Sequence, residues 1–106
     1  MYHNPLDTEN ALKLPLEHDA WMLFSFPDHE VIRLHLNPGA MIEKHRNDWR
    51  IIFHVLAGEG ELEVEDKCFY LSAQKSIAVK AGLDRSWKNT GKEVMELLVI
   101  KSKAET

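Results

Sequence analysis

From Glu30 onward, turn-forming residues recur at short and even intervals, and this spacing limits the possible folds more than any other feature of the chain. Asn37-Pro38-Gly39, Asn47-Asp48, Gly58-Glu59-Gly60, Asp66-Lys67, Ala81-Gly82 and Asn89-Thr90-Gly91 separate runs rich in β-branched and aromatic residues. Gly, Pro, Asn and Asp end strands because they supply positive φ, fix φ, or hydrogen-bond their own backbone. The runs between them predict strands at Val31–Leu36, Ala40–His45, Ile51–Leu56, Glu61–Glu65, Phe69–Leu71, Ser76–Val79, Arg85–Lys88 and Val94–Lys101. None carries a sustained 3.6-residue periodicity, so the pattern argues for an all-β sandwich or barrel.

The first thirty residues are less regular. Trp21–Phe26 reads as a further strand, ended by the turn pair Pro27-Asp28, and Asn4–Leu14 reads as a short helical turn stopped by Pro15. Residues 1–29 are therefore expected to form an N-terminal extension with a first strand, and 30–103 the β-barrel, within one domain. A chain of 106 residues is long enough for one core and too short for two ordinary ones.

Charge and composition exclude several function classes. Thirteen Lys and Arg against seventeen Asp and Glu leave a net charge of -4, with the basic residues scattered, which is a poor footprint for nucleic acid. No apolar run approaches the ~20 residues of a membrane-spanning helix, and no signal peptide is visible, so a cytoplasmic protein is expected. Cys68 has no partner cysteine and is expected to be a half-buried strand residue. The last strand is apolar on both parities except at Glu96, which suggests a covered second face and a homodimer.

Residues 39–60 and 74–89 together resemble the cupin family of small β-barrels. The first cupin motif runs Gly, five residues, His-x-His, three or four residues, Glu, six residues, Gly. Here Gly39, His45 and Gly58 match, while Asn47 and Ile51 stand where the second His and the Glu would be. The second motif runs Gly, five residues, Pro-x-Gly, two residues, His, three residues, Asn. Its positions here are Gln74, Lys80, Gly82, Arg85 and Asn89, so the last Gly and the Asn are kept. The resemblance implies a cupin-type jelly-roll β-barrel, a fold that hosts many chemistries.

In metal-binding members of the family the three His and the Glu converge on one divalent ion. Carried over, those positions are His45, Asn47, Ile51 and Arg85, of which only His45 is a competent ligand. An arginine ~4 Å from a dication would cost on the order of 8 kcal/mol at an effective dielectric of ~20. No metal cofactor is therefore expected, a Glu43 and His45 half-site being the remaining route to one.

Strand parity instead places Glu43, His45, Asn47, Arg85 and Trp87 inside, with Ile51, Phe53 and Val55 as an apolar wall. Asn47, Arg85 and Trp87 are the candidate ligand-binding groups, and His45 with Glu43 the candidate acid/base pair. The expected function is binding of a small anionic or sugar-like molecule in the barrel without a conventional metal centre. Three alternatives stand beside it: a metal-independent isomerase or cyclase using His45 and Glu43, a metal-dependent oxygenase with an unorthodox site, and a regulatory or structural dimer. In a barrel simply filled by side chains, Glu43 would pair with Arg85 and His45 with Asn47. Of the other histidines, His54 should face outward, His35 should be an ordinary strand residue, and His3, His18 and His29 should be solvated.

Overall fold

The computed structural model describes residues 5–103. Among them are ten strands and no helix, arranged as two antiparallel sheets. One sheet holds six strands in the order β1 (Leu12–Lys13), β2 (Asp19–Phe26), β3 (His29–Leu36), β10 (Met95–Lys103), β5 (Trp49–Ala57), β8 (Ser76–Val79). The other holds four, in the order β4 (Met41–Arg46), β9 (Asp84–Lys88), β6 (Glu59–Val64), β7 (Lys67–Ser72). The fold is the all-β jelly roll that the turn spacing and the motif resemblance indicate. Each sequence-predicted strand is present, most of them lengthened by one or two residues.

The last strand organises the larger sheet. β10 lies between β3 and β5, so that Leu97 is paired with Leu34 on one side and Val55 on the other. Met95, Leu97 and Val99 point into the space between the sheets, where they meet Ile32, Leu34, Leu36, Ile51, Phe53 and Val55 from the flanking strands. Complete burial of an aliphatic side chain of this size contributes about 2 kcal/mol, and β3, β5 and β10 contribute three buried core residues each. The opposite parity of β10 carries Glu96, Leu98 and Ile100, which are half-buried because neighbouring strands on both sides shield them.

Two local expectations are corrected. The segment before Pro15 makes only one turn, in which the Ala11 N–H donates to the Asp7 carbonyl at 2.9 Å and the Asp7 carboxylate accepts from the N–H groups of Glu9 and Asn10. Asp7 caps this single turn, which goes no further because the next residues pair with β2. The chain then becomes extended at β1, pairing Leu12 with Met22 and Lys13 with Trp21. Cys68 is exposed on β7 rather than half-buried. His3 lies outside the described residues.

On the outer face of the larger sheet, Arg33 donates from Nη2 to Glu96 at 2.7 Å and from Nε to His35 Nε2 at 3.1 Å. Trp21 packs edge-on against the His35 ring at a centroid distance of 4.7 Å. Desolvation under Trp21 and its neighbours holds the His35 imidazole below its ordinary pKa, and Arg33 acts in the same direction, against the opposing fields of Glu96 and Asp19. The folded state therefore binds fewer protons at this site than the unfolded chain. The contribution is complete above the unfolded pKa of about 6.5 and is lost as pH falls below it. His35→Gln, which keeps an acceptor for Arg33, is expected to lose less thermal stability than the parent between pH 7 and 5; equal slopes would show that His35 does not set the acid limb.

Two backbone positions test the turns. A Cβ on Gly60 would lie 2.6 Å from the Lys88 carbonyl oxygen and 2.7 Å from Met95 Sδ, so Gly60→Ala should cost about 2 kcal/mol or more. Gln74 holds φ at +74° where the cupin pattern has Gly. Relief of that left-handed conformation makes Gln74→Gly neutral or stabilising by up to about 1 kcal/mol in chemical denaturation.

Candidate functional site

Strand alternation on β9 turns Arg85 and Trp87 inward, while Lys88 is exposed and Asp84 bonds outward to Arg46. Arg85 is 4% exposed and Trp87 is 2% exposed. The two residues stand on the four-stranded wall of a pocket of about 520 Å³ between the sheets. This volume is in the usual range of small-molecule sites. The opposite wall is apolar, built from Ala20, Ile32, Leu34, Phe53 and Val99.

Among the described residues, the guanidinium of Arg85 has no carboxylate partner. Its Nη2 lies 3.2 Å from His45 Nε2, and its carbon sits 5.9 Å from the centroid of the Phe53 ring. Nε of Arg85 and Nε1 of Trp87 are buried without a hydrogen-bond partner among the described residues. Desolvation pulls the Arg85 pKa below its ordinary value, and no neighbouring negative charge opposes the shift. A buried cation of this kind costs several kcal/mol unless something compensates it. The Trp87 ring packs edge-on against Phe53, with centroids 5.4 Å apart.

His45 and Glu43 are arranged by an irregularity that parity counting alone does not reveal. β4 pairs Ile42 with Trp87 and then His45 with Arg85, so two residues of β4 oppose only Ser86. That β-bulge puts Ile42 and His45 on the inner side and breaks the two-residue relation of Glu43 to His45. The His45 Nδ1 is 3.0 Å from the backbone carbonyl of Glu43, which can only accept, so Nδ1 carries the proton and Nε2 accepts from Arg85. The Glu43 carboxylate is exposed on the pocket wall, with no hydrogen bond or ion pair to His45 or Arg85 among the described residues. His45 meets Arg85 rather than Asn47, so neither contact expected of a filled barrel is present.

Asn47 is not part of this pocket. Its side-chain oxygen accepts the Trp49 N–H at 2.8 Å and its carbonyl accepts from Gly82 at 2.8 Å, which fastens the β4–β5 turn to the loop before β9. Two other groups do line it: His18, expected to be solvated but half-buried here, and Lys101, which the sequence reading passed over. His18 donates or accepts through Nε2 at 2.9 Å from the Met41 carbonyl, and because that carbonyl accepts, Nε2 is the donor. Lys101 continues the inward parity of Met95, Leu97 and Val99, a signal present in the sequence but read there only as an apolar pattern. Desolvation and, secondarily, the field of Arg85 lower the Lys101 pKa against the opposing effect of Glu30. No ion pair within 4.0 Å holds its ammonium among the described residues.

The residues at the family's metal positions do not form a ligand set. Ile51 is buried in the core, Asn47 is committed to its turn, and Arg85 directs a cation at the lone donor His45. Among the described residues no group of three or more His, Cys, Asp or Glu is placed to hold an ion.

The sequence model of the cupin domain matches residues 32–101, about two-thirds of the chain, from β3 to β10, leaving out β1 and β2. The chain belongs to the cupin family. Solved cupin structures superpose closely on it. The cupin domain of Schizosaccharomyces pombe Cnp3 is 20% identical with a TM-score of 0.85, covering 94% of this chain and 74% of that one. A predicted oxalate decarboxylase from Thermotoga maritima is 18% identical with a TM-score of 0.86, covering 95% and 100%. KdgF from Halomonas sp. is 13% identical with a TM-score of 0.82, covering 98% and 97%. No curated protein matches the sequence. These likenesses establish a shared fold.

The second-motif asparagine that this cupin retains is structural. Asn89 is 1% exposed; its Nδ2 donates to the carbonyls of Leu36 and Glu93 at 2.9 and 2.8 Å, and its Oδ1 accepts from Gly91 at 2.9 Å. It locks the end of β9 to β3 and to the loop before β10. Arg85, by contrast, has no such partners. Arg85→Met, which fills similar space without charge, is expected to leave the melting temperature unchanged or raise it. A loss equivalent to 3 kcal/mol or more would show that the guanidinium is a structural ion instead.

Proposed function

We propose that this cupin binds a small organic anion in the pocket between its sheets, without a conventional metal centre, and that Arg85 is the group that holds the anion. The observation that carries this reading is the buried guanidinium with an unpartnered Nε and no carboxylate in contact. A carboxylate or similar anion satisfies such a fork through short charge-assisted bonds, and it does so most effectively where water is excluded. His45 is the positioning residue, because its neutral ring accepts from Nη2 and fixes the plane of the guanidinium. Trp87 and Phe53 form the aromatic part of the wall against which the body of a ligand packs.

The test is a thermal-shift screen of small anions and matched neutral compounds against the parent chain and Arg85→Met. A ligand at a hundredfold excess over its Kd stabilises the folded state by about 2.7 kcal/mol, or roughly 10 °C for a domain of this size. Anion-dependent shifts that vanish in Arg85→Met are the expected result. The absence of any shift with the parent chain, or shifts that persist in the variant, would refute the reading.

A further inference from the structure

Resting on that reading of the pocket, we infer that its ligand class is a monocarboxylate with an apolar body, aliphatic or aromatic, held between Arg85 and Lys101, rather than a sugar or sugar acid. The first argument is charge. Arg85 from the smaller sheet and Lys101 from the larger one both line the pocket, and Glu30, paired in register with Lys101, is the one carboxylate whose field offsets Lys101. Apart from the exposed rim, where Glu17, Glu43 and the Glu63-paired Lys44 lie, Arg85 and Lys101 against Glu30 leave one positive charge, which one carboxylate neutralises. A dianion would overcharge it.

The second argument is the chemistry of the walls. The buried polar groups among them are donors, the Arg85 guanidinium and the Trp87 indole N–H, and the half-buried Lys101 ammonium adds another. The one inward-facing acceptor, His45 Nε2, is already taken by Arg85, and His18 Nε2 is engaged by the Met41 carbonyl. The acceptors that remain in the lining are the Glu43 and Glu17 carboxylates, exposed at the rim, and the half-buried His18 ring and Ser86 hydroxyl, too few for the hydroxyls of a buried sugar. A sugar ring presents several hydroxyls, each of which brings a donor that must find an acceptor when buried. Among Ala20, Ile32, Leu34, Ile42, Phe53 and Val99 it would find none. A carboxylate brings acceptors only, and a hydrocarbon body matches the rest of the lining.

Heteronuclear NMR of the full chain decides this, with the indole N–H signal of Trp87, assigned through Trp87→Phe, as the local reporter. The probes are hexanoate, benzoate, hexanamide, glucuronate, glucose and inorganic phosphate. Hexanoate or benzoate is expected to move the Trp87 signal and to bind at least tenfold more tightly than glucuronate, phosphate and the amide. Lys101→Met should weaken the carboxylate at least tenfold. Equal or tighter binding of glucuronate, glucose or phosphate would overturn the ligand class while leaving Arg85 as an anion site. Binding of the amide as tight as that of hexanoate, or no binding of any anion, would overturn the anion reading itself. Unchanged affinity in Lys101→Met would remove Lys101 from the site. The ligand series on the parent chain needs no variant to fold, so it tests the class by itself.

Discussion

A guanidinium enclosed between two sheets, with no carboxylate to receive it, is the constraint on which the rest of this structure turns. Burying an unpaired cation is unfavourable, and proteins usually relieve it by supplying an acidic neighbour or by letting the side chain reach water. Neither happens at Arg85. The surrounding architecture explains why it stays inside: β9 is an interior strand of its sheet, Trp87 two residues on must fill the space against Phe53, and Asn89 two further on is pinned by three hydrogen bonds. With a strand anchored at those points, alternation leaves Arg85 no outward option.

The comparison with the cupin motifs gives this placement a meaning. In metal-binding members the second-motif position of Arg85 carries a ligand to a dication, so the centre of the barrel is positive in either case. Here the positive charge is covalently part of the chain. A guanidinium can orient an anion through two parallel hydrogen bonds, whereas it cannot polarise a substrate as an open metal coordination site does. In the binding reading, the exchange keeps an anion site at that point and places a guanidinium where a Lewis acid would sit. Loss of the Glu at Ile51 fits that exchange, since a carboxylate facing Arg85 would have consumed the charge within the protein.

Much of this was legible in the sequence, and the exceptions have physical causes. Turn residues at even spacing mark strand ends because they restrict φ or bond locally, and this information is contained in a few adjacent residues. The inward positions of Ile51, Phe53, Val55, Arg85 and Trp87 follow from alternation within regular strands. Glu43 escaped the same rule because a bulge after Ile42 is a property of the pairing with β9, not of β4 alone. Asn47 was read as a pocket residue by parity, but its short amide side chain bonds the backbone at Trp49, a competition that spacing does not report. Lys101 was obscured for the opposite reason. Its parity was correct, yet a lysine at the end of an apolar strand looks like a solvated terminus until the facing sheet is known to bring Arg85 toward it.

The two sheets consequently divide the work in the binding reading. The larger one contributes the apolar wall through β2, β3, β5 and β10, and the smaller one contributes Arg85 and Trp87 through β9. Because the charged groups are desolvated before any ligand arrives, part of the free energy that would appear as affinity is already present as a penalty in the empty protein. Linkage makes the two inseparable: whatever binds the folded state and not the unfolded chain raises stability by its own binding free energy. Neutralising Arg85 by mutation and neutralising it with a bound carboxylate should therefore stabilise the fold through the same electrostatic change. In that reading, a wall whose buried polar groups are donors then determines which molecules can exploit that gain. A ligand that carries its own donors into the pocket would create new unpaired groups in the act of pairing the old one, and only a molecule with an acceptor head and a hydrocarbon body avoids that exchange.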